Sequence, residues 1–208
     1  MGKHEHFIQK RSNRQFRSIR DRFLIVCEGR RTEPNYFKCF PIKKESIELR
    51  ILGEGKNTDS LVREAIGLKR DAEKAGKPYN QVWVVFDRDN FPERNFREAL
   101  RLCNKEKIGF AVSNEAFELW YLLHYDYVVT GLDRSQYAEK LSDRMGKPYI
   151  KNDAGMYGRL KNMQNKAIER AKKLEKFHFE KLGRHDYYKA NPVTTVYQLV
   201  ETLNEYIH

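Results

Sequence analysis

Two carboxylates flanking an arginine, Asp87 and Asp89, close the apolar run Val82-Trp-Val-Val-Phe86. Acids so placed beyond a buried strand either turn the chain and cap the next helix or offer oxygen ligands to a hard cation. A third acid, Glu28, ends an earlier apolar run, Phe23-Leu-Ile-Val-Cys27, and is followed by Gly29. If both runs are parallel strands of one sheet, their carboxyl ends share an edge, and ligands bind in the crevice along it. Three converging carboxylates raise one another's pKa unless a cation neutralises them. Mg2+ (or Mn2+), which takes few protein carboxylates and keeps several waters, suits such a cluster. The chemistry this allows is phosphodiester hydrolysis, which needs an oriented water and charge neutralisation at the phosphate oxygens. Arg30 and Arg31, directly after Glu28, bring positive charge to the same edge, while Arg88, inside the acid pair, either joins them or points away along the strand.

The elements that would position these residues follow from periodicity. Apolar runs at 23–27 and 82–86, an alternating stretch at 46–52 and a run at 109–113 read as strands. Between them, the spacing of Leu61, Val62, Ala65, Ile66, Leu68 and Ala72 predicts a helix over 58–75, stopped by Gly76-Lys-Pro78. Helices are also predicted after Thr32-Glu-Pro34, with Thr32 as its cap, over 94–105 and over 116–124. Strands alternating with helices imply crossovers and a mostly parallel α/β sheet covered on both faces. Beyond Asp126 the strand signals stop, and 133–144, 154–177 and 194–206 read as helices. The expected organisation is a basic arm over 1–22, an α/β core over 23–125 and a helical C-terminal extension packed on the core over 126–208.

At 208 residues, 40% of them hydrophobic, the chain can bury one substantial core, and 33% charged residues give it a heavily solvated surface. No run approaches the ~20 apolar residues of a spanning helix, and the charged N-terminus lacks the apolar centre of a signal peptide, so a cytoplasmic protein with no membrane partner is expected. Cys27, Cys39 and Cys103 form no paired metal motif and suit reduced thiols. A formal charge of +11 favours a polyanionic partner, nucleic acid first. Arg11, Arg14 and Arg17, interleaved with Phe7 and Phe16, have the pattern of an arm that grips a phosphate backbone. No glycine-lysine phosphate loop is present, so ATP hydrolysis by this chain alone is not expected. The Asp87/Asp89 pair is followed by Asn90 and comes late in the sheet. A haloacid-dehalogenase phosphatase would instead place its acid pair after the first strand, with a threonine following.

An acid after the first strand and an acid pair after a later one resembles the Toprim fold of topoisomerases, primases and the nucleases allied to overcoming-lysogenization proteins. Four ordered segments are more specific. CEGRRTEPNYF at Cys27 to Phe37, VFDRDNFP at Val85 to Pro92, SNEAFELWYLLHY at Ser113 to Tyr125, and NPVTTVYQLV at Asn191 to Val200 resemble the successive signatures of the RloB-like proteins. Glu115 departs from that pattern, where a proline is expected. The resemblance implies a Toprim-type, Mg2+-dependent nuclease of anti-phage defence, working with an AAA- or ABC-type ATPase. It assigns Glu28 as general acid or base and Asp87 and Asp89 as metal ligands. Glu118, returning to the same edge after the fourth strand, is a further candidate ligand. His124 is a weaker catalytic candidate, since a histidine on an aromatic helix is usually a core residue. The alternative is a Toprim-like nucleic-acid-binding or ATPase-regulating subunit that does not cut, in which the acids would have no evident purpose. RNA such as tRNA and DNA are both open as targets, and a second copy of the chain is open as a partner.

Overall fold

A computed structural model of the chain describes residues 20–43, 47–53, 58–88 and 92–207. Asp89 and the arm residues Arg11, Arg14 and Arg17 lie outside them. Strand β1 (Asp21–Cys27) leads into helix α1 (Thr32–Lys38), β2 (Ile47–Gly53), α2 (Thr58–Lys74), β3 (Gln81–Asp87), α3 (Glu93–Glu106), β4 (Gly109–Asn114) and α4 (Glu118–Leu123). Then come α5 (Arg134–Met145), α6 (Met156–Leu160), α7 (Gln164–Leu182), a short β5 (Val193–Thr194) and α8 (Val196–Asn204). Among the described residues the sheet has five strands in the order β2-β1-β3-β4-β5, all parallel except β5, which runs antiparallel to β4. The molecule is thus an α/β protein with a mostly parallel sheet flanked by helices and a helical C-terminal part. Among the described residues no helix is long and apolar enough to cross a membrane.

The unbroken apolar runs of β1 and β3 follow from burial on both faces, since alternate side chains point to opposite sides of a sheet. Phe23, Ile25 and Cys27 join one core with Tyr36 and Phe37 of α1 and the helices from α4 to α8. Leu24 and Val26 join a second core with Leu61, Val62 and Ala65 of α2, Val82, Val84 and Phe86 of β3, and Phe96 of α3. The chain leaves β1 through α1 on one face to reach β2. It then crosses back over β1 through α2 on the other face to reach β3. The strand order therefore reverses between β1 and β3, where helices diverge and a crevice opens at the carboxyl edge.

The C-terminal part differs from the expected long helices in two places. Residues 154–177 do not form one rod: a turn of 3-10 helix, Lys161–Met163, separates α6 from α7. The break lets Tyr157 of α6 pack on Phe40, with ring centroids 4.6 Å apart, while Ala167, Ala171 and Leu174 of α7 enter the core beside α4. One straight helix could not serve both contacts. Val193 and Thr194 form the edge strand, where β-branched residues fit. Ser113 and Thr194 share a hydroxyl hydrogen bond of 2.9 Å, and Thr195 Oγ1 accepts from Val112 N at 2.9 Å. The helix expected from 116 begins at Glu118, so Glu115 lies in the preceding turn and not in the helix.

The end of β4 is tied to the loop before β5 by Asn114, which is 1% exposed. Its Nδ2 donates to the carbonyls of Tyr187 (3.3 Å), Tyr188 (3.1 Å) and Ala190 (2.7 Å). Asn114→Ala leaves these acceptors without their donor and should destabilise the protein by about 1–3 kcal/mol. Chemical denaturation of parent and variant checks this, and equal midpoints would remove the tie from the fold's stability.

Candidate active site

The crevice at the strand-order reversal is a cleft of about 300 Å³. Four carboxylates reach it: Glu28, Glu33, Asp87 and Glu118. Glu28 follows β1 directly, and its amide continues the β1–β3 pairing by donating to Val85 O at 2.9 Å. Its Oε2 accepts from the backbone N of Asp87 at 3.2 Å, so the two strand ends are joined through the acid itself. Two close approaches shape the loop that follows. A Cβ on Gly29 would lie 2.0 Å from Glu33 Oε2, and a Cβ on Gly53, at the end of β2, would lie 2.7 Å from Gly29 O. Only glycine leaves room there for the Glu33 carboxylate and for the loop between them.

Glu33 was not among the residues anticipated from sequence. Thr32 does not cap α1 as expected, because the helix already includes it and Arg31 is the cap position. The Thr32 hydroxyl donates instead to Asn152 Oδ1 at 2.7 Å. Glu33, one residue on, is 5% exposed, and its Oε2 has no hydrogen-bond partner. Burial pushes its carboxyl above the usual range and Glu118 adds to this, while the nearby backbone amides and Lys151 oppose it. The available signal was an acid five residues after Glu28 in a turn otherwise buried among Tyr36 and Phe37.

Asp87 is the last residue of β3. Its carboxyl is held well above the usual range by burial and by Glu33, Glu118 and Glu28, in that order, with Arg134 pulling against them. The Arg134 guanidinium, at the start of α5, is 3.7 Å from Asp87 Oδ2. Glu118 opens α4 and accepts from the Tyr149 hydroxyl at 3.1 Å. Burial and Glu118 hold that hydroxyl protonated, which suits a donor.

Lys151 and Asn152 complete the wall. They come from the loop after α5, which is pinned to α1 where Asn35 Nδ2 donates to Asn152 O at 2.9 Å. Four cations thus line the cleft with the four acids: Arg30 and Arg31, as anticipated, with Arg134 and Lys151, which were not.

Two other sequence candidates turn away. Arg88 lies over the Tyr188 ring at 4.5 Å. His124 is buried, its Nδ1 lies 2.8 Å from Trp120 O, and burial lowers its pKa to about 4, so it stays neutral in the core. Tyr36, Phe37 and Phe40 are core residues.

The donor set is all oxygen, the kind that hard cations take. A buried, unpartnered Glu33 oxygen in the same cleft as an Asp87 carboxyl raised by burial and by its acid neighbours is an arrangement that a divalent cation would relieve. Among the described residues no three of these groups already enclose a point at ligating distance.

The family model described as RloB-like protein matches residues 23–203. Comparison with the curated proteins and with the solved structures finds no match.

Asp87 and Glu33 hold protons more tightly folded than unfolded, so the native state binds more protons between the two sets of pKa values. Their contribution is therefore least unfavourable below about pH 4, and stability falls as pH rises through the raised native values. In EDTA, Asp87→Asn should melt higher than the parent at neutral pH, the difference closing towards about pH 4. Melting curves across that range check it. A variant that melts lower at neutral pH would show that the repulsion is not felt.

Proposed function

The chain belongs to the RloB-like family, and from that premise and the chemistry of the cleft we propose that it is a divalent-cation-dependent nuclease that hydrolyses phosphodiester bonds of RNA or DNA in anti-phage defence. The observation that carries the reading is the buried Glu33 Oε2, without a partner, among Glu28, Asp87 and Glu118. A module that only bound nucleic acid would gain nothing from four acids in its crevice.

Asp87, Glu118 and Glu33, with Asp89 as the sequence pattern suggests, would hold Mg2+ or Mn2+. When bound, the cation supplies Lewis-acid neutralisation of charge on the non-bridging phosphate oxygens. The chain's own residues do the rest. Glu28, fixed by the Asp87 amide, takes the proton of the attacking water as the new P–O bond forms, and the oxygen released when the scissile P–O bond breaks takes a proton from solvent. Arg30, Arg31 and Lys151 orient the phosphate from the rim, where Arg30, Arg31 and Lys151 are all exposed. Tyr149 holds the Glu118 carboxylate in place. An AAA- or ABC-type ATPase is the partner that the family resemblance supports.

Glu28→Gln keeps size and hydrogen bonding but removes basicity. Turnover should fall by about 10²- to 10⁴-fold, with substrate affinity within a few-fold of the parent. Asp87→Asn and Glu33→Gln should abolish both cleavage and calorimetric Mn2+ binding. The assay uses labelled tRNA, single-stranded DNA and duplex DNA with Mg2+ or Mn2+, with and without the ATPase. Parent-like cleavage by the Asp87 and Glu33 variants would sink the metal-site reading.

A further inference from the structure

A second charged groove, of about 530 Å³, lies between α2 and α3, on the face of the sheet opposite α1. It is lined by Arg63, Arg94, Arg97 and Arg101 with one acid, Glu98. We propose that this groove is a nucleic-acid backbone site, which seats the substrate's phosphates beside the acid cleft; the proposal rests on the nuclease reading for its substrate.

Position is the first support. Helices that follow parallel strands start at the carboxyl edge of the sheet, so α2 and α3 both begin at the edge that carries the cleft. Arg94 is the second residue of α3, seven positions after Asp87 at the end of β3. A strand whose scissile phosphate sits in the cleft can therefore continue along α3. The spacing is the second support. Arg94, Arg97 and Arg101 share one side of the helix, and Arg94 and Arg101 are about 10 Å apart along its axis at 1.5 Å per residue. That is the advance of about three phosphates of one duplex strand.

Chemistry is the third support. The cations are all guanidinium groups, which grip phosphate oxygens through two parallel donors. Arg94 has no salt-bridge partner among the described residues. Arg63 pairs with Asp59 and Arg101 with Glu98 within their own helices, and the two arginine side chains are 61% and 60% exposed. Exposed pairs of this kind contribute little to stability, so a phosphate can replace the carboxylate. Arg97 is different: besides Glu93 at 2.7 Å it binds Asp186, whose side chain is 1% exposed, and so holds the loop before β5.

The test spares Arg97 and replaces the other three with Arg63→Gln, Arg94→Gln and Arg101→Gln. Binding of labelled tRNA, single-stranded DNA and duplex DNA is measured in EDTA over a range of salt, so that no cleavage enters. The triple variant should melt like the parent and lose about 2 to 3 units of the slope of log K against log salt, at about 0.7 to 0.9 per lost contact. A control variant removes the same charge from α7 (Lys166→Gln, Lys176→Gln, Lys181→Gln) and should keep the parent slope. A folded groove variant with the parent slope overturns the proposal. So does an equal loss in the control, which would reduce the effect to net charge, and so does a parent that binds no nucleic acid. Cleavage is read separately with Mg2+. Groove-dependent binding by a parent that never cuts would leave the groove standing and remove the nuclease reading, and cutting with an unchanged slope would do the reverse.

Discussion

Mutual repulsion among carboxylates governs the arrangement of this protein. Asp87, at the end of a central strand, has its carboxyl held above the usual range by burial and then by Glu33, Glu118 and Glu28. Water would separate such groups, so the fold must hold them together against their own field. It does so by giving each acid a backbone anchor. Glu28 and Asp87 sit at adjacent parallel strand ends, Glu33 is in the first turn of α1, and Glu118 opens α4. Adjacent strands are about 4.8 Å apart, so acids placed at their ends cannot drift far. The glycines on either side, Gly29 and Gly53, remove side chains where the loop and the Glu33 carboxylate need the space.

The C-terminal helices are part of this arrangement. They bring Arg134 to Asp87, Tyr149 to Glu118 and Lys151 to the side of Glu33, so the core's acids meet donors and cations from more than a hundred residues after β1. Asn152, at φ 69°, is fixed by α1 on one side and carries Lys151 into the wall. On the other face, the loop before β5 is tied to the strand ends by Asn114, to α3 through the Asp186–Arg97 pair at 2.8 Å, and to the acid loop by Arg88 over Tyr188. The residue between the two acids of the pair is thus an anchor for that loop, which keeps Asp87 at the cleft while Arg88 faces away from it.

Charge is segregated to match. The cleft mixes acids on its floor with exposed cations at its rim, and the groove between α2 and α3 is lined by four arginines and one acid. Both places present cations at the surface, Arg30, Arg31 and Lys151 at the cleft and the arginines of the groove, and a cation in the cleft would offset the field of its acids.

Local patterning was enough to read the first four strands, the α2 and α3 helices and the mostly parallel character of the sheet. An apolar run such as Phe23 to Cys27 has few folded settings other than a strand buried on both faces. Glu28 and Asp87 were legible because they stand at the ends of parallel strands that share their carboxyl edge, and Glu118 because it opens the helix that leaves that edge after β4. The short strand at Val193–Thr194 and the break between α6 and α7 were not, because both are set by partners distant in sequence. Val193 and Thr194 pair only because β4 offers them an edge, and Tyr157 leaves the α7 axis only to meet Phe40. Arg134 and Lys151 look like ordinary solvated cations in sequence. Glu33 looked like part of a helix start, since its burial depends on the glycine beneath it and on α4 across the cleft. Sequence alone therefore determined that Glu28 and Asp87 stand at strand ends, a property of the local period. Only the tertiary structure decided which charges surround them, because electrostatic environment depends on distance in space and on exclusion of water, and neither is encoded by spacing along the chain.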